Sequence, residues 1–276
     1  MLPHVVTQRN CIMTSEPKLF SGLASEGGHW YAQDGTPAYE ITGANGKQRA
    51  VTLRDARKLQ LCPGFSSIAR LEDKPALTQW KINQALMAAL TLPRISGETL
   101  EQFKGRCELD MEAQSKAARE RGTALHAALE AWYEYGTVSD ENAPYVMPVV
   151  QWLSDKFPNA PWGAEKSFVH SLGYGGKTDL YAPGVALVDF KFKDFSDPAK
   201  VKGYDEHEMQ LHAYSYGLGD NQAQLVNLFI SSTVPGLIVP VVWPWREQAL
   251  MAFIHLLKFW QCRKGYAPDF SVGVLS

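Results

Sequence analysis

Two short apolar segments joined by a tight turn constrain this chain most. Residues 177–181 and 185–192 each have the length of one strand, and Pro183-Gly184 between them is a turn signal. Apolar neighbours predict that both strands are buried in a larger sheet, yet each segment carries an acid, Asp179 and Asp189. A carboxylate on a buried strand is costly unless it is paired or binds a cation. The two acids therefore indicate either an ion pair or a site.

The flanking sequence predicts an α/β fold with a mixed central sheet flanked by helices. Further strands are predicted at 165–172, 225–231 and 237–243, a hairpin at 29–41, and a glycine turn at 173–176. Helices are predicted at 51–61, 75–90, 98–135, 149–157, 205–218 and 246–264, and a further helical segment is predicted to follow Ser66-Ser67. Residues 140–148 are predicted to form a loop, and residues 1–27 to be irregular. We expect one continuous domain, in which a hairpin and helical portion (1–97) packs on the core (98–276).

Charge and cysteine usage exclude several functional classes. The net charge of -2 argues against a protein that coats nucleic acid, but it allows an enzyme with one basic cleft. No run approaches eighteen apolar residues, and residues 1–10 lack a signal-peptide pattern, so we expect a cytoplasmic protein with no membrane partner. The cysteines at 11, 62, 107 and 262 show no C-x-x-C spacing. They predict free thiols and neither a zinc site nor an iron-sulfur cluster.

The candidate chemistry lies on the two central strands. Asp189 and Lys191 are two residues apart and project from the same face of one strand, which Asp179 can reach from the neighbouring strand. Two carboxylates beside an ammonium suit Mg²⁺ or Mn²⁺, which can polarise a phosphoryl oxygen and acidify a bound water. A structural Asp–Lys pair across the strands is the alternative. These three residues alone leave both interpretations open.

The spacing of these residues resembles the core motif of the PD-(D/E)XK nuclease superfamily. Gly176-x-x-Asp179 is followed, after nine residues, by Asp189-x-Lys191. Downstream, Gln210-x-x-x-Tyr214 is similar to the Q-x-x-x-Y element of the RecB-like exonuclease branch.

Two upstream features extend the resemblance. Arg121-Gly122-Thr123-x-x-His126 resembles the first motif of that branch, and Glu165 resembles an additional acid found there. The resemblance covers about residues 119–216. Residues 66–80 are more faintly similar to the mitochondrial genome-maintenance exonuclease group, and the layout is also one of phage and bacterial proteins.

The resemblance implies a role for each matched position. Asp179 and Asp189 would bind Mg²⁺ or Mn²⁺, together with the backbone carbonyl of Phe190 and the imidazole of His126. Lys191 would position the attacking water.

Three further positions would assist these residues. Gln210 and Tyr214, which share one helix face, would organise the lysine and the substrate strand. Glu165 would help with a second metal or a water. Tyr214 could instead belong to the core, and Glu165 could simply face solvent or pair with a lysine.

Basic residues near the motifs are candidates for substrate binding. Lys193 lies on the same strand face as Lys191 and is the strongest candidate for a phosphate contact. The other candidates that we carry forward are Arg119, Arg121 and Lys177. Trp80 and Trp132 could stack on bases if they are exposed.

The resemblance implies a metal-dependent DNA exonuclease that acts in recombination, repair or phage replication. Its partners would be single- or double-stranded DNA ends, with a recombinase, a single-strand-binding protein or a helicase as further partners. The chain itself contains no Walker A sequence. The alternatives are a structure-specific endonuclease, a non-catalytic nucleic-acid-binding module on the same fold, and another metal hydrolase that uses the same carboxylates.

Overall fold

The structure, a computed structural model, describes residues 28–271. Residues 1–27, predicted to be irregular, and Cys11 lie outside this part. The strands are β1 (Trp30–Tyr31), β2 (Glu40–Thr42), β3 (Gln48–Ala50), β4 (Cys62–Pro63), β5 (Gly163–Ala164), β6 (Ser167–His170), β7 (Tyr174–Lys177), β8 (Leu180–Ala182), β9 (Ala186–Lys193), β10 (Gln224–Ser231) and β11 (Ile238–Trp243). The helices are α1 (Leu53–Leu59), α2 (Phe65–Ala69), α3 (Pro75–Thr91), α4 (Leu100–Tyr135), α5 (Ala143–Lys156), α6 (Asp205–Leu218) and α7 (Glu247–Lys264), with a 3₁₀ turn at Pro198–Lys200.

A mixed five-stranded sheet forms the centre of the described chain, as predicted. Its strand order is β11-β10-β9-β8-β5, in which β9 and β10 are parallel and every other neighbouring pair is antiparallel. Parallel neighbours need a crossover connection, and α6 supplies it between β9 and β10. The register places Asp189 opposite Asn227 and Lys191 opposite Phe229.

The two faces of this sheet bury different parts of the chain. Val188 and Val226 point to the face covered by α4 and α5, where the second apolar cluster lies. Leu187 and Leu225 point to the opposite face and join the cluster formed with α2, α6 and α7. Because side chains alternate along a strand, Asp189 and Lys191 follow Leu187 on that second face. That face therefore changes from core to polar site along β9.

The N-terminal part shares this core. The Phe65 ring of α2 lies 5.9 Å from the Tyr214 ring of α6 and 5.4 Å from the Phe253 ring of α7. The predicted division after residue 97 remains a prediction. Within residues 28–271, Cys62, Cys107 and Cys262 are free thiols, and no helix is long and apolar enough to span a membrane.

Several local predictions were wrong. Residues 143–148 of the predicted loop at 140–148 are the first part of α5. Pro144 lies in the first turn of that helix, where its missing N–H costs nothing, and Pro148 removes a single intrahelical bond. Burial of Val146, Val149 and Leu153 outweighs that loss. The helical spacing of the apolar residues therefore outweighs the tendency of the two prolines to interrupt a helix.

The predicted hairpin at 29–41 is present at its turn, where Tyr31 and Pro37 form an antiparallel bridge and the Ala38 N–H donates to the Trp30 carbonyl at 2.8 Å, but its strands continue into other ladders. Strand β1 pairs with β4, whereas β2 pairs with β3 across the Asn45-Gly46 turn. The predicted glycine turn at 173–176 is shorter than expected, because only Gly173 has a positive φ, of 90°, and Gly175 and Gly176 belong to β7.

Candidate active site

Asp179 lies in the break between β7 and β8, directly before the buried Leu180. Its Oδ2 accepts a hydrogen bond of 2.7 Å from the backbone N–H of Phe190 on β9. The predicted strand at 177–181 is interrupted at this point. At this interruption the Asp179 carboxylate faces the neighbouring strand β9, as expected from the prediction that it reaches Asp189 and Lys191.

Asp189 has three polar partners in the site, and only 5% of its surface is exposed. Its Oδ1 accepts a 2.9 Å hydrogen bond from Gln210 Nε2 of α6. Its Oδ2 accepts a 2.7 Å hydrogen bond from Asn227 Nδ2 of β10, and Lys191 Nζ lies 2.7 Å from the same oxygen. Three neighbouring donors therefore fix the orientation of this carboxylate.

Gln210 joins the lysine to the aspartate. Its Oε1 accepts a 3.0 Å hydrogen bond from Lys191 Nζ, while its amide nitrogen donates to Asp189. The Lys191 side chain keeps 23% of its surface exposed. The predicted convergence of Asp179, Asp189, Lys191 and Gln210 is present in the fold.

The combined effect of burial and neighbouring charges raises the pKa of both Asp179 and Lys191. Burial and the nearby Asp189 raise the pKa of Asp179, while Lys191 and the Phe190 amide lower it less strongly. Burial alone would lower the pKa of Lys191, but the charges of Asp189 and Asp179 more than offset this and raise it. The lysine is therefore a fixed cation at neutral pH.

His126 on α4 approaches from the other side. Its Nδ1 lies 3.8 Å from Asp179 Oδ2, and its ring packs edge-on against Phe192 with centroids 4.8 Å apart. Burial, together with the positive charges of Lys191 and Lys177, lowers the pKa of this imidazole despite Asp189. A neutral imidazole has a free lone pair and is able to bind a metal ion.

The donor set suits a divalent cation. It comprises two carboxylates with a raised pKa on one of them, a backbone carbonyl at Phe190 and a neutral imidazole. As placed in residues 28–271, no three His, Cys, Asp or Glu side chains form a group able to hold a metal ion.

Glu165 lies opposite Asp179 across the strand break. Its N–H donates to the Asp179 carbonyl at 3.2 Å, and its carboxylate is in contact with the ammonium of Lys177. Its φ of 54° falls in the left-handed region, which is costly for a residue with a β-carbon. Lys177, predicted to bind substrate, thus has Glu165 as its partner.

Tyr214 is 8% exposed and packs edge-on against Phe65 and Phe168, with ring centroids 5.9 and 5.3 Å apart. Burial and the charge of Asp189 raise the pKa of its hydroxyl, which stays protonated. A β-carbon on Gly176 would meet the Phe168 and Tyr214 rings at 2.8 Å, so only a glycine at this position allows the two rings to pack against β7.

Of the remaining basic candidates for substrate binding, one lies on β9 and two lie on α4. Lys193 lies on the site face of β9, with its ammonium 4.5 Å from the centre of the Tyr204 ring. Arg121 stacks on Tyr145 of α5 at 4.6 Å and lies 3.6 Å from Glu141. Arg119 is exposed on α4.

The two tryptophans considered for base stacking also differ. Trp80 is 41% exposed on α3. Trp132 packs against the second apolar cluster.

Comparisons with known protein families and with curated proteins gave no match. Among solved structures, the chain is similar to an alkaline exonuclease from Laribacter hongkongensis at 11% identity and a TM-score of 0.37, covering 52% of this chain and 79% of that one. It is similar to a protein described as SSO0001 (13% identity, TM-score 0.34, covering 72% and 96%) and to a candidate exonuclease from Eubacterium rectale (14%, 0.36, covering 52% and 66%). Likenesses at these TM-scores identify neither a family nor an activity.

Asn227 is the site residue that the sequence analysis missed. It is fully buried, donates to Asp189 and accepts a 2.7 Å hydrogen bond from Trp243 Nε1 of β11. The available signal was a single amide in the otherwise apolar run Leu225-Val226-Asn227-Leu228-Phe229. A polar side chain in such a run needs a buried partner.

Proposed function

We propose that this chain is a divalent-metal-dependent DNA nuclease of the PD-(D/E)XK type that acts as an exonuclease. The observation that carries the proposal is the bonded unit of Asp189, Lys191 and Gln210, with Asp179 held beside it by the Phe190 amide. Burying a fixed cation and two carboxylates is unfavourable unless their geometry has a use or very good pairing. Asp179 has a raised pKa and is not fully paired, which favours a use.

Asp179, Asp189, the Phe190 carbonyl and His126 would hold Mg²⁺ or Mn²⁺. A bound ion of this kind polarises a phosphoryl oxygen and lowers the pKa of a water ligand. The lowered pKa of His126 favours the neutral imidazole that binds a metal ion, and the raised pKa of Asp179 is that of a carboxyl whose charged form a nearby cation would stabilise; both support this donor set.

Lys191 would act on the substrate through its fixed N–H groups. Gln210 and Asp189 occupy two of its donor directions, which leaves one N–H for an attacking water or a phosphate oxygen. Because the raised pKa keeps this group protonated, it serves as a donor and an electrostatic stabiliser rather than as a base. Lys193 would contact the substrate backbone from the next site-facing position on β9.

DNA is the proposed substrate, and its strand would lie along the polar part of the β9 face. Exonuclease action, a role in recombination, repair or phage replication, and a recombinase, single-strand-binding or helicase partner are proposed from the resemblance of the motifs to the RecB-like branch. Glu165 would assist with a second metal or a water after separating from Lys177.

The test is digestion of end-labelled DNA, linear or covalently closed, single- or double-stranded, with Mg²⁺, Mn²⁺ or EDTA. We expect loss of linear substrate only, with Mg²⁺ or Mn²⁺ and not with EDTA, and no activity in Asp189→Asn. Cleavage of closed circles at a comparable rate would favour an endonuclease. Unchanged substrates under both metals, with binding retained, would indicate a non-catalytic binding module.

A further inference from the structure

His207 and Lys193 lie together on an aromatic surface beside the candidate active site. The surface consists of Tyr204, which precedes α6, and Phe229 of β10. The His207 ring centroid lies 5.3 Å from that of Tyr204 and 5.6 Å from that of Phe229. The Lys193 ammonium lies 4.5 and 5.0 Å from the same two rings.

The fold fixes the tautomer of His207. The backbone N–H of Tyr204 donates to His207 Nδ1 at 3.3 Å. A ring nitrogen that accepts a hydrogen bond carries no proton, so a neutral imidazole must carry its hydrogen on Nε2. Burial and the charge of Lys191 lower the pKa of this group to about 4, which keeps the ring neutral near pH 7.

The surroundings of His207 are those of an anion site. His207 precedes Gln210 by about one helical turn on the same face of α6, and Gln210 contacts Lys191 directly. Lys191 and Lys193 contribute positive charge at the imidazole, which Asp189 partly offsets, and burial and Lys191 lower the pKa of Lys193. Within the described residues, the Lys193 ammonium has aromatic faces rather than a carboxylate as neighbours. An anion placed between Lys193 and His207 would relieve this positive charge.

We propose that His207 and Lys193 form a phosphate subsite, in which His207 donates its Nε2 hydrogen to a backbone phosphate oxygen of the bound DNA strand. The inference deepens the proposed function and rests on it. It assigns to His207 a role that no sequence motif predicts. Tyr204 and Phe229 hold the ring in place, so little side-chain entropy is lost when the strand binds.

The first test measures binding of a labelled single strand in EDTA by fluorescence anisotropy. His207→Phe keeps the ring shape and removes the donor. His170→Phe is the matched control, because His170 Nδ1 also accepts a backbone N–H, from Leu172 at 3.2 Å, and its ring also packs on tyrosines. We expect the affinity of His207→Phe to fall by about tenfold, as for loss of a hydrogen bond to a charged group, with recovery in His207→Gln. Equal affinities of the two Phe variants would overturn the subsite.

The second test distinguishes a phosphate contact from an indirect effect on α6. His207→Phe also removes the hydrogen bond from the Tyr204 N–H at the start of α6, and this loss alone could weaken DNA binding. Single methylphosphonates are placed at successive positions of the strand, and each strand is titrated against wild type and His207→Phe. The subsite predicts one position at which the two losses are not additive. Additive losses at every position would overturn it. If the wild type binds with His207 dependence but cleaves nothing with Mg²⁺ or Mn²⁺, the nuclease proposal fails and the subsite stands. If the wild type binds no strand, both proposals fail.

Discussion

Asn227 offers the sharpest test of how the site is held. Asn227→Leu keeps the branched outline of the side chain and removes two hydrogen bonds, one to the Asp189 carboxylate and one from Trp243, each 2.7 Å long. A bond to a charged group contributes about 1.5–3 kcal/mol and a neutral one about 0.5–1.5 kcal/mol. Because residue 227 is fully buried, water cannot replace either partner there. We therefore expect the free energy of unfolding to fall by about 2–4 kcal/mol in urea titrations at pH 7.

The control is Trp243→Phe, which removes the outer bond and part of the indole ring but keeps the bond from Asn227 to Asp189, and should cost about 1–2 kcal/mol. Asn227→Asp keeps the shape but adds a carboxylate beside Asp189, and should be less stable than Asn227→Leu at neutral pH. If the unfolding free energy of Asn227→Leu stays within about 0.5 kcal/mol of wild type, the buried network does not stabilise the site and this reasoning is wrong.

Three further predictions follow from single contacts. Asp220→Ala should lower the free energy of unfolding in urea by about 1–2 kcal/mol, because the Asp220 carboxylate accepts a 2.7 Å hydrogen bond from the Gly184 amide. Burial alone would raise the pKa of Asp220, but its hydrogen bonds lower it. The stability difference between wild type and variant should therefore be present at pH 7 and shrink as the pH falls below about 4. An advantage that grows in acid would contradict this. Gly176→Ala should lower thermal stability by about 1–3 kcal/mol through its clash with Phe168, and an unchanged melting temperature would exclude that clash. Gln210→Ala should lower kcat by about 10–100-fold and the free energy of unfolding by about 1–3 kcal/mol, because its amide bonds the charged groups of Asp189 and Lys191; full activity would refute its orienting role.

The sequence predicted the centre of the site well because the relevant geometry is local. Asp189 and Lys191 share a strand face whenever residues 189–191 are extended, and the turn at Pro183-Gly184 brings Asp179 alongside. The α6 bounds, predicted at 205–218, are confirmed, and the helix ends where Gly219 adopts a left-handed conformation with a φ of 69°.

Features that depend on distant partners were not predictable in the same way. The role of Asn227 follows from the parallel register of β9 and β10, which pairs positions 38 residues apart. The contact of Lys177 with Glu165 depends on a positive φ at Glu165, a conformation that its residue type gives no reason to expect. Both are consequences of tertiary packing.

The loop error at 140–148 has a different origin. The apolar spacing of Val146, Val149 and Leu153 is that of a helix, and a proline in the first turn, Pro144, is compatible with one. The sequence alone already held the information needed to place α5.

The most direct test of the central claim is the single-turnover rate of cleavage of end-labelled linear DNA with Mn²⁺ by Lys191→Met. Lys258→Met is the control, because Lys258 is an exposed lysine of α7. If Lys191 stabilises the reacting phosphate, its variant should be slower by at least about 100-fold while DNA binding and folding persist, and the control should match wild type. A Lys191→Met rate within about threefold of wild type would contradict the assignment of this site as the catalytic centre.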